Sequence, residues 1–311
     1  MAHYRGESPT LGDFLRIVDI RTKIVSVSSL LIGSAWALAT APERFSWTLF
    51  ALLVAATLAI DMGTTGFNSY FDFLAGVDTK ESDQERFKAL VQRDIDPRIA
   101  RDLSFALYAV AMPPGLAIGA RAGWGVVTTG ALCMVFAYFY SGGPRPLSRT
   151  PVGEFFAGGL LGGVLAVVAA FVHTQRLDVA TILVGLPSSL IVAAILSTNN
   201  ACDRIGDERA GRRTLAIRLG PQRAHWPVYA LVASSFAAVA ALGVLGILPL
   251  LALSPMLLPA ALAAKTLAAM KRRGWSHATK APNMGGISLV FIAFTACLVA
   301  TIALARFLSV R

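Results

Sequence analysis

Residues 179–203 read VATILVGLPSSLIVAAILSTNNACD. The nineteen residues from Val179 to Ser197 carry no charged side chain. As a helix rising 1.5 Å per residue they span about 28 Å, close to the ~30 Å hydrocarbon core of a bilayer. The apolar residues form a continuous run, whereas a membrane-spanning strand would alternate over about ten residues. Polarity then arrives abruptly as Asn199, Asn200 and Asp203. A spanning helix that ends in amide and carboxylate side chains is the reading from which the rest of the chain is worked out.

That texture recurs along all 311 residues, of which 55% are hydrophobic and 15% charged, with a mean hydropathy of +0.63. Such a composition excludes a water-soluble monomer and describes an all-α polytopic membrane protein. A window of about 19 residues gives nine spans near 22–41, 47–67, 103–120, 123–140, 153–173, 179–200, 226–246, 247–264 and 286–306, the seventh and eighth divided by length and Pro249. The net charge of +10 has a topological explanation before a nucleic-acid one, because no basic stripe is interleaved with aromatics. Of 28 Lys and Arg residues, 23 fall in the amino-terminal lead-in and the even-numbered loops. Basic residues concentrate on the cytoplasmic side. The amino terminus is therefore expected inside, the carboxyl terminus outside, and the chain in the cell (inner) membrane. Residues 1–311 read as one domain, with 1–21 a retained cytoplasmic lead-in and 68–102 and 199–225 two long cytoplasmic loops. Cys133, Cys202 and Cys297 lie in or beside apolar segments without metal-ligand spacing and read as reduced thiols.

The two long loops hold eleven of the 18 acidic residues. The first opens with Asn68-Ser-Tyr-Phe-Asp72, followed by Asp78; the second opens with Asn199-Asn200-Ala-Cys-Asp203, followed by Asp207. In each, an Asn and an Asp stand four residues apart, so that if the helix continues they share one face. One such cluster is ordinary capping chemistry; two at topologically equivalent positions on the same side point to a paired site. Carboxylate and amide oxygens without imidazole or thiolate select a hard divalent cation, and Mg²⁺ commonly completes its shell with water and phosphate oxygens. Several carboxylates at a bilayer edge repel one another unless cations neutralise them, so metal is expected. Lys80, Arg212, Arg213, Arg21 and Lys23 lie near these clusters on the same side and are candidate clamps for phosphate oxygens.

With these residues in view, NSYFDFLAGVDT at 68–79 and NNACDRIGDERAGRRTLAIRLG at 199–220 resemble the paired aspartate-rich motifs of the UbiA-type intramembrane aromatic prenyltransferases. Tyr140-Ser-Gly-Gly-Pro144-Arg-Pro146-Leu147 with Gly153-Glu154 is similar to the fourth-loop motif of the 1,4-dihydroxy-2-naphthoate polyprenyltransferases. The resemblance implies nine helices around a central cavity, capped on the cytoplasmic side by short helices. It implies that Asn68, Asp72, Asp78, Asn199, Asp203 and Asp207 hold metal and diphosphate. It further implies Mg²⁺-dependent transfer of a polyprenyl group from polyprenyl diphosphate to 1,4-dihydroxy-2-naphthoate with loss of CO₂, the prenyl tail leaving into membrane lipid. The chain departs from the usual pattern at Cys202, where Arg is common, at Arg21-Thr22-Lys23, at Ser148 to Gly153, and at Asp61 and Thr65, where amides are commoner. These departures bear on the acceptor more than on the metal.

Asp61 lies inside the second span, where a carboxylate is costly unless it is paired or faces a cavity. Two readings stand: a structural pair with Lys23 or with a polar side chain of a neighbouring span, or a catalytic role in the acceptor pocket, binding or deprotonating a ring hydroxyl. Tyr140, Arg145 and Glu154 are further acceptor-site candidates, with Arg149 alongside. Tyr70, Phe71, Tyr138 and Tyr140 are placed to stabilise an allylic cation or to serve as interfacial belt residues. His173, His225 and His277 share no spacing and are given no role. Three classes of function remain at this point: the prenyltransferase, including enzymes for hydroxybenzoate, homogentisate or glycerol phosphate acceptors; a polytopic transporter; and a non-catalytic lipid-binding subunit.

Overall fold

The computed structural model describes residues 9–78 and 88–309 and is helical, with no strand among those residues. Nine helical segments among them are long and apolar enough to cross a membrane, and the protein is a multi-pass membrane protein. A short helix α1 (Leu11–Ile17) opens with Thr10 and Asp13 in a reciprocal capping box. The spans follow as α2 (Ile24–Thr40), α3 (Trp47–Leu74), and, after the single turn α4 (Ala89–Gln92), α5 (Pro97–Ala122) and α6 (Trp124–Ser141). The fifth span is α7 (Gly153–Ala157), a π-helical stretch Gly158–Val164 and α8 (Leu165–Thr174). Then come α9 (Val179–Arg209), the short α10 (Leu215–Arg223), α11 (Trp226–Val244), α12 (Leu257–Arg273) and α13 (His277–Ser309). The seventh and eighth spans separate where Gly246 takes a positive φ of 71° and Pro249 caps a 3₁₀ stretch into α12.

Small residues let the helices approach closely, as expected where lipid supplies no hydrophobic drive between them. A Cβ added at Gly33 of α2 would lie 1.9 Å from the Ala166 carbonyl oxygen of α8, and one at Gly162 would lie 2.5 Å from the Ser189 Cα of α9. One buried cluster joins α2, α9, α11 and α13 through Ile32, Ile191, Val232, Phe291 and Phe294. A second joins α2, α3, α5 and α8 through Leu30, Leu53, Ile118 and Val172. A third, outside the bundle, packs Ile17 of α1 against Leu90 of α4, Ile95 and Ala100. The ion pair between Arg93 and the buried Asp13, at 2.7 Å, fastens it. The lead-in and the first long loop therefore build a cap together.

Three segments differ from the sequence expectation. Helix α3 continues to Leu74 and α9 to Arg209, so Asn68, Asp72, Asn199, Asp203 and Asp207, expected in loops, are helical residues. Helix α13 begins at His277, nine residues before the expected span. Hydropathy marks where a helix leaves hydrocarbon, which is a different event from where its hydrogen-bond ladder stops.

Candidate active site

Because α3 and α9 keep their helical period beyond the apolar stretch, each presents a ladder of polar side chains at four-residue spacing. Helix α3 carries Asp61, Thr65, Asn68 and Asp72; α9 carries Asn199, Asp203 and Asp207. Between them lies a cavity of about 520 Å³ whose lining includes Asp61, Thr65, Asn68 and Asp72 from one side, Asn199 and Asn200 from the other, and Arg21, Tyr140 and Arg212 at its edge. That volume is in the range of small-molecule sites.

Basic side chains meet every motif carboxylate. Arg212 spans the two motifs, donating from one guanidinium nitrogen to Asp72 Oδ1 at 2.7 Å and lying 3.4 Å from Asp207 Oδ1 through the other. Burial works to lower the pKa of this guanidinium, but Asp72 and Asp207 outweigh burial and hold it above its ordinary value. Lys280 Nζ is 2.7 Å from Asp203 Oδ2, with His277 Nδ1 3.2 Å from Oδ1. Lys88 Nζ is 2.9 Å from Asp78 Oδ2. Burial pushes the Asp78 carboxyl up, and the Lys88 charge pulls against it.

Deeper in the bundle Asp61 is bonded on both oxygens. Lys23 Nζ donates to Oδ1 at 2.6 Å and to Thr65 Oγ1 at 2.7 Å, while Ser26 Oγ donates to Oδ2 at 2.6 Å. The Lys23 pairing weighed from the sequence is thus present, and Asp61 also reaches the cavity wall. Opposite, Asn200 Nδ2 donates to the buried Glu154 Oε1 at 2.8 Å. Ser141 donates to Asn68 Oδ1 and fixes that amide.

The other sequence candidates are placed less centrally. Arg213 is exposed, and its backbone N–H donates to the Arg149 carbonyl at 2.8 Å, tying the second motif loop to the fourth. Arg145 is exposed and is not among the cavity-lining residues described. Lys80 lies outside the described residues. Phe71 and Tyr138 pack edge to face against each other, ring centroids 5.5 Å apart. Sequence reasoning passed over Ser26, Ser141, Asn200, His277 and Lys280. Ser26 and Asn200 had a signal, polar side chains at helical spacing from a motif residue; His277 and Lys280 had none, since α13 is remote in sequence.

Among the described residues no three His, Cys, Asp or Glu side chains gather into a cation site. The neutralisation expected of metal is supplied here by Arg212, Lys280 and Lys88. The donor set nevertheless fits a hard divalent ion, being made of carboxylates and amides. Asp207 Oδ2 is buried without a hydrogen-bond partner among the described residues and remains available as a ligand.

The UbiA prenyltransferase family model matches residues 27–294. The 1,4-dihydroxy-2-naphthoate octaprenyltransferase of Bacillus subtilis (strain 168) is 34% identical over 232 residues, covering 74% of this chain and 72% of that relative. The Mycobacterium tuberculosis protein of the same name is 25% identical over 177 residues, covering 57% and 60%. Among solved structures, a UbiA homolog from Aeropyrum pernix K1 superposes with a TM-score of 0.67 at 17% identity, over 94% of this chain and 99% of that one. A UbiA homolog from Archaeoglobus fulgidus bound to GPP and Mg²⁺ gives 0.64 at 17% identity over the same shares. The structural likeness carries the fold, and the sequence likeness carries the activity class, which leaves no place for a transporter or a non-catalytic subunit. The protein is a prenyltransferase enzyme, and the chain belongs to the UbiA prenyltransferase family.

Proposed function

We propose that this enzyme transfers a polyprenyl group from polyprenyl diphosphate to 1,4-dihydroxy-2-naphthoate with loss of CO₂, working as a single domain at the cytoplasmic side of the cell membrane. The observation that carries the reading is the shared cavity, with Asn68 and Asp72 on one wall, Asn199 and Asn200 on the other, and Arg212 bonded across to Asp72. The similarity to naphthoate octaprenyltransferases supports the acceptor.

The allylic C–O bond breaks as negative charge gathers on the departing diphosphate, and catalysis consists of placing positive charge there. Mg²⁺, when held by Asn68, Asp72, Asn199, Asp203 and Asp207, supplies Lewis-acid stabilisation of that leaving group. Arg212 offers a planar fork for phosphate oxygens at the rim, with Arg21 lining the same cavity. The bundle and its cap exclude water from the allylic cation-like carbon. The new C–C bond forms at the ring carbon bearing the carboxylate, and loss of that carboxylate as CO₂ restores the aromatic ring. Tyr140, Glu154 through Asn200, and Asp61 border the acceptor's place.

The test is an acceptor panel with octaprenyl diphosphate and the purified protein in nanodiscs, read by product mass and CO₂ release. Naphthoate is expected to be preferred, with one CO₂ per product. Preference for hydroxybenzoate, homogentisate or glycerol phosphate would overturn the acceptor assignment.

A further inference from the structure

The first turns of α13 bring two bases to the second motif that neither motif contains. Lys280 Nζ is 2.7 Å from Asp203 Oδ2, and both side chains are 17% exposed, accessible at a rim without being free in solvent. Asn199 and Met284 line the cavity. Asp203 and Lys280 each stand four residues from one of these lining residues, on the same helical face. Lys280 also lies within electrostatic range of Asp207, as do Arg212, Asp203 and Asp72. Charges from three helices thus converge on one place.

Three carboxylates, Asp72, Asp203 and Asp207, face two basic side chains there, Arg212 and Lys280. A divalent ion that takes the Asp203 oxygens competes directly with the ammonium. A displaced ammonium is left close to the new ion and needs an anion, and a phosphate oxygen is the strongest acceptor that the reaction brings to this rim. Lysine suits such an exchange, being a compact charge with three rotatable donors on a flexible stem.

We propose that Lys280 is a diphosphate-binding residue, which holds Asp203 before ligands arrive and passes its ammonium to a diphosphate oxygen when a divalent ion takes that carboxylate. The inference rests on the prenyl diphosphate reading above and adds a residue of the ninth span to the substrate site. Its consequence is mutual dependence of the two ligands: Mg²⁺ alone binds against the competition of Lys280, and diphosphate relieves that competition.

The experiment titrates the full-length protein in detergent with Mg²⁺ alone and with inorganic pyrophosphate at saturating Mg²⁺, for wild type, Lys280→Gln and Lys280→Arg. Lys280→Gln should bind Mg²⁺ alone more tightly and Mg²⁺-pyrophosphate about tenfold or more weakly; Lys280→Arg should recover most of the pyrophosphate affinity. Equal pyrophosphate affinity in wild type and Lys280→Gln, or unchanged Mg²⁺ binding, would overturn the role of Lys280 while leaving the diphosphate site standing. Failure of wild type to bind Mg²⁺-pyrophosphate would overturn both. Should Lys280→Gln fail to fold, amine acetylation of wild-type Lys280, read by mass spectrometry, decides the matter. Labelling should rise with Mg²⁺ and fall when pyrophosphate is added, and labelling indifferent to both would overturn the proposal.

Discussion

Replacing Asp61 by Leu should strand a buried charge. Lys23 is 4% exposed and Asp61 8% exposed. After the substitution the ammonium keeps the Thr65 hydroxyl at 2.7 Å and the residue-61 carbonyl at 3.3 Å but loses the Asp61 carboxylate, now 2.6 Å away. Removing one member of a buried ion pair costs about 3–5 kcal/mol. At roughly 2–4 °C per kcal/mol, the lower figures give a fall in melting temperature of roughly 6 °C. The double variant Lys23→Met/Asp61→Leu should recover most of this, because apolar replacement of a whole buried pair is often neutral. Thermal unfolding of wild type, Asp61→Leu, Lys23→Met and the double variant in one detergent gives the coupling energy directly. Turnover of the stable double variant then separates the two roles weighed for Asp61. Activity that returns with stability makes the carboxylate structural, and activity that stays low makes it part of the acceptor site. A single Leu variant melting with the wild type would refute the buried pair itself.

Asp72→Ala and Asp203→Ala should each remove most turnover while the protein remains inserted and folded, and chelation should abolish activity that Mg²⁺ restores; normal turnover by either variant would end the two-motif mechanism. Arg212→Lys should lower activity, since one ammonium cannot span Asp72 and Asp207 as the guanidinium does, whereas the exposed Arg213 should tolerate Lys, its observed tie being a backbone one; equal kinetics for both variants would return Arg212 to a topological role. Gly33→Ala should lower the melting temperature, because its Cβ meets a backbone oxygen at 1.9 Å; overpacking of this kind costs about 1–3 kcal/mol.

The spans were legible because hydrocarbon imposes a length and a composition on any helix that crosses it. The expected division of the seventh and eighth spans, between 246 and 247, falls at the observed turn at Gly246, whereas α3 and α9 outrun their apolar stretches: composition tracks the solvent, and the backbone tracks its own hydrogen bonds. The pairing of Asn68 with Asp72 and Asn199 with Asp203 was legible from helical spacing. What held those carboxylates was not, since Arg212 reaches Asp72 across 140 residues of chain and Lys280 comes from a span without a motif. Asn200 was masked by Asn199, because adjacent residues on a helix point in different directions and only the tertiary position of Glu154 selects one of them.

The bridge from Asp72 through Arg212 to Asp207 bears on how the bundle is made. A helix entering a bilayer with unpaired carboxylates near its end would have to wait for an ion before its neighbours could settle around it. Here the chain brings its own counter-ions, two motifs closing on one guanidinium. Pairing of these carboxylates in the folded bundle is therefore independent of the supply of divalent cations. Small metal domains, whose folding free energy is metal binding, lack that independence. In the mechanism proposed above, ion availability governs when the enzyme works, while the charges that neutralise its motifs come from the chain itself.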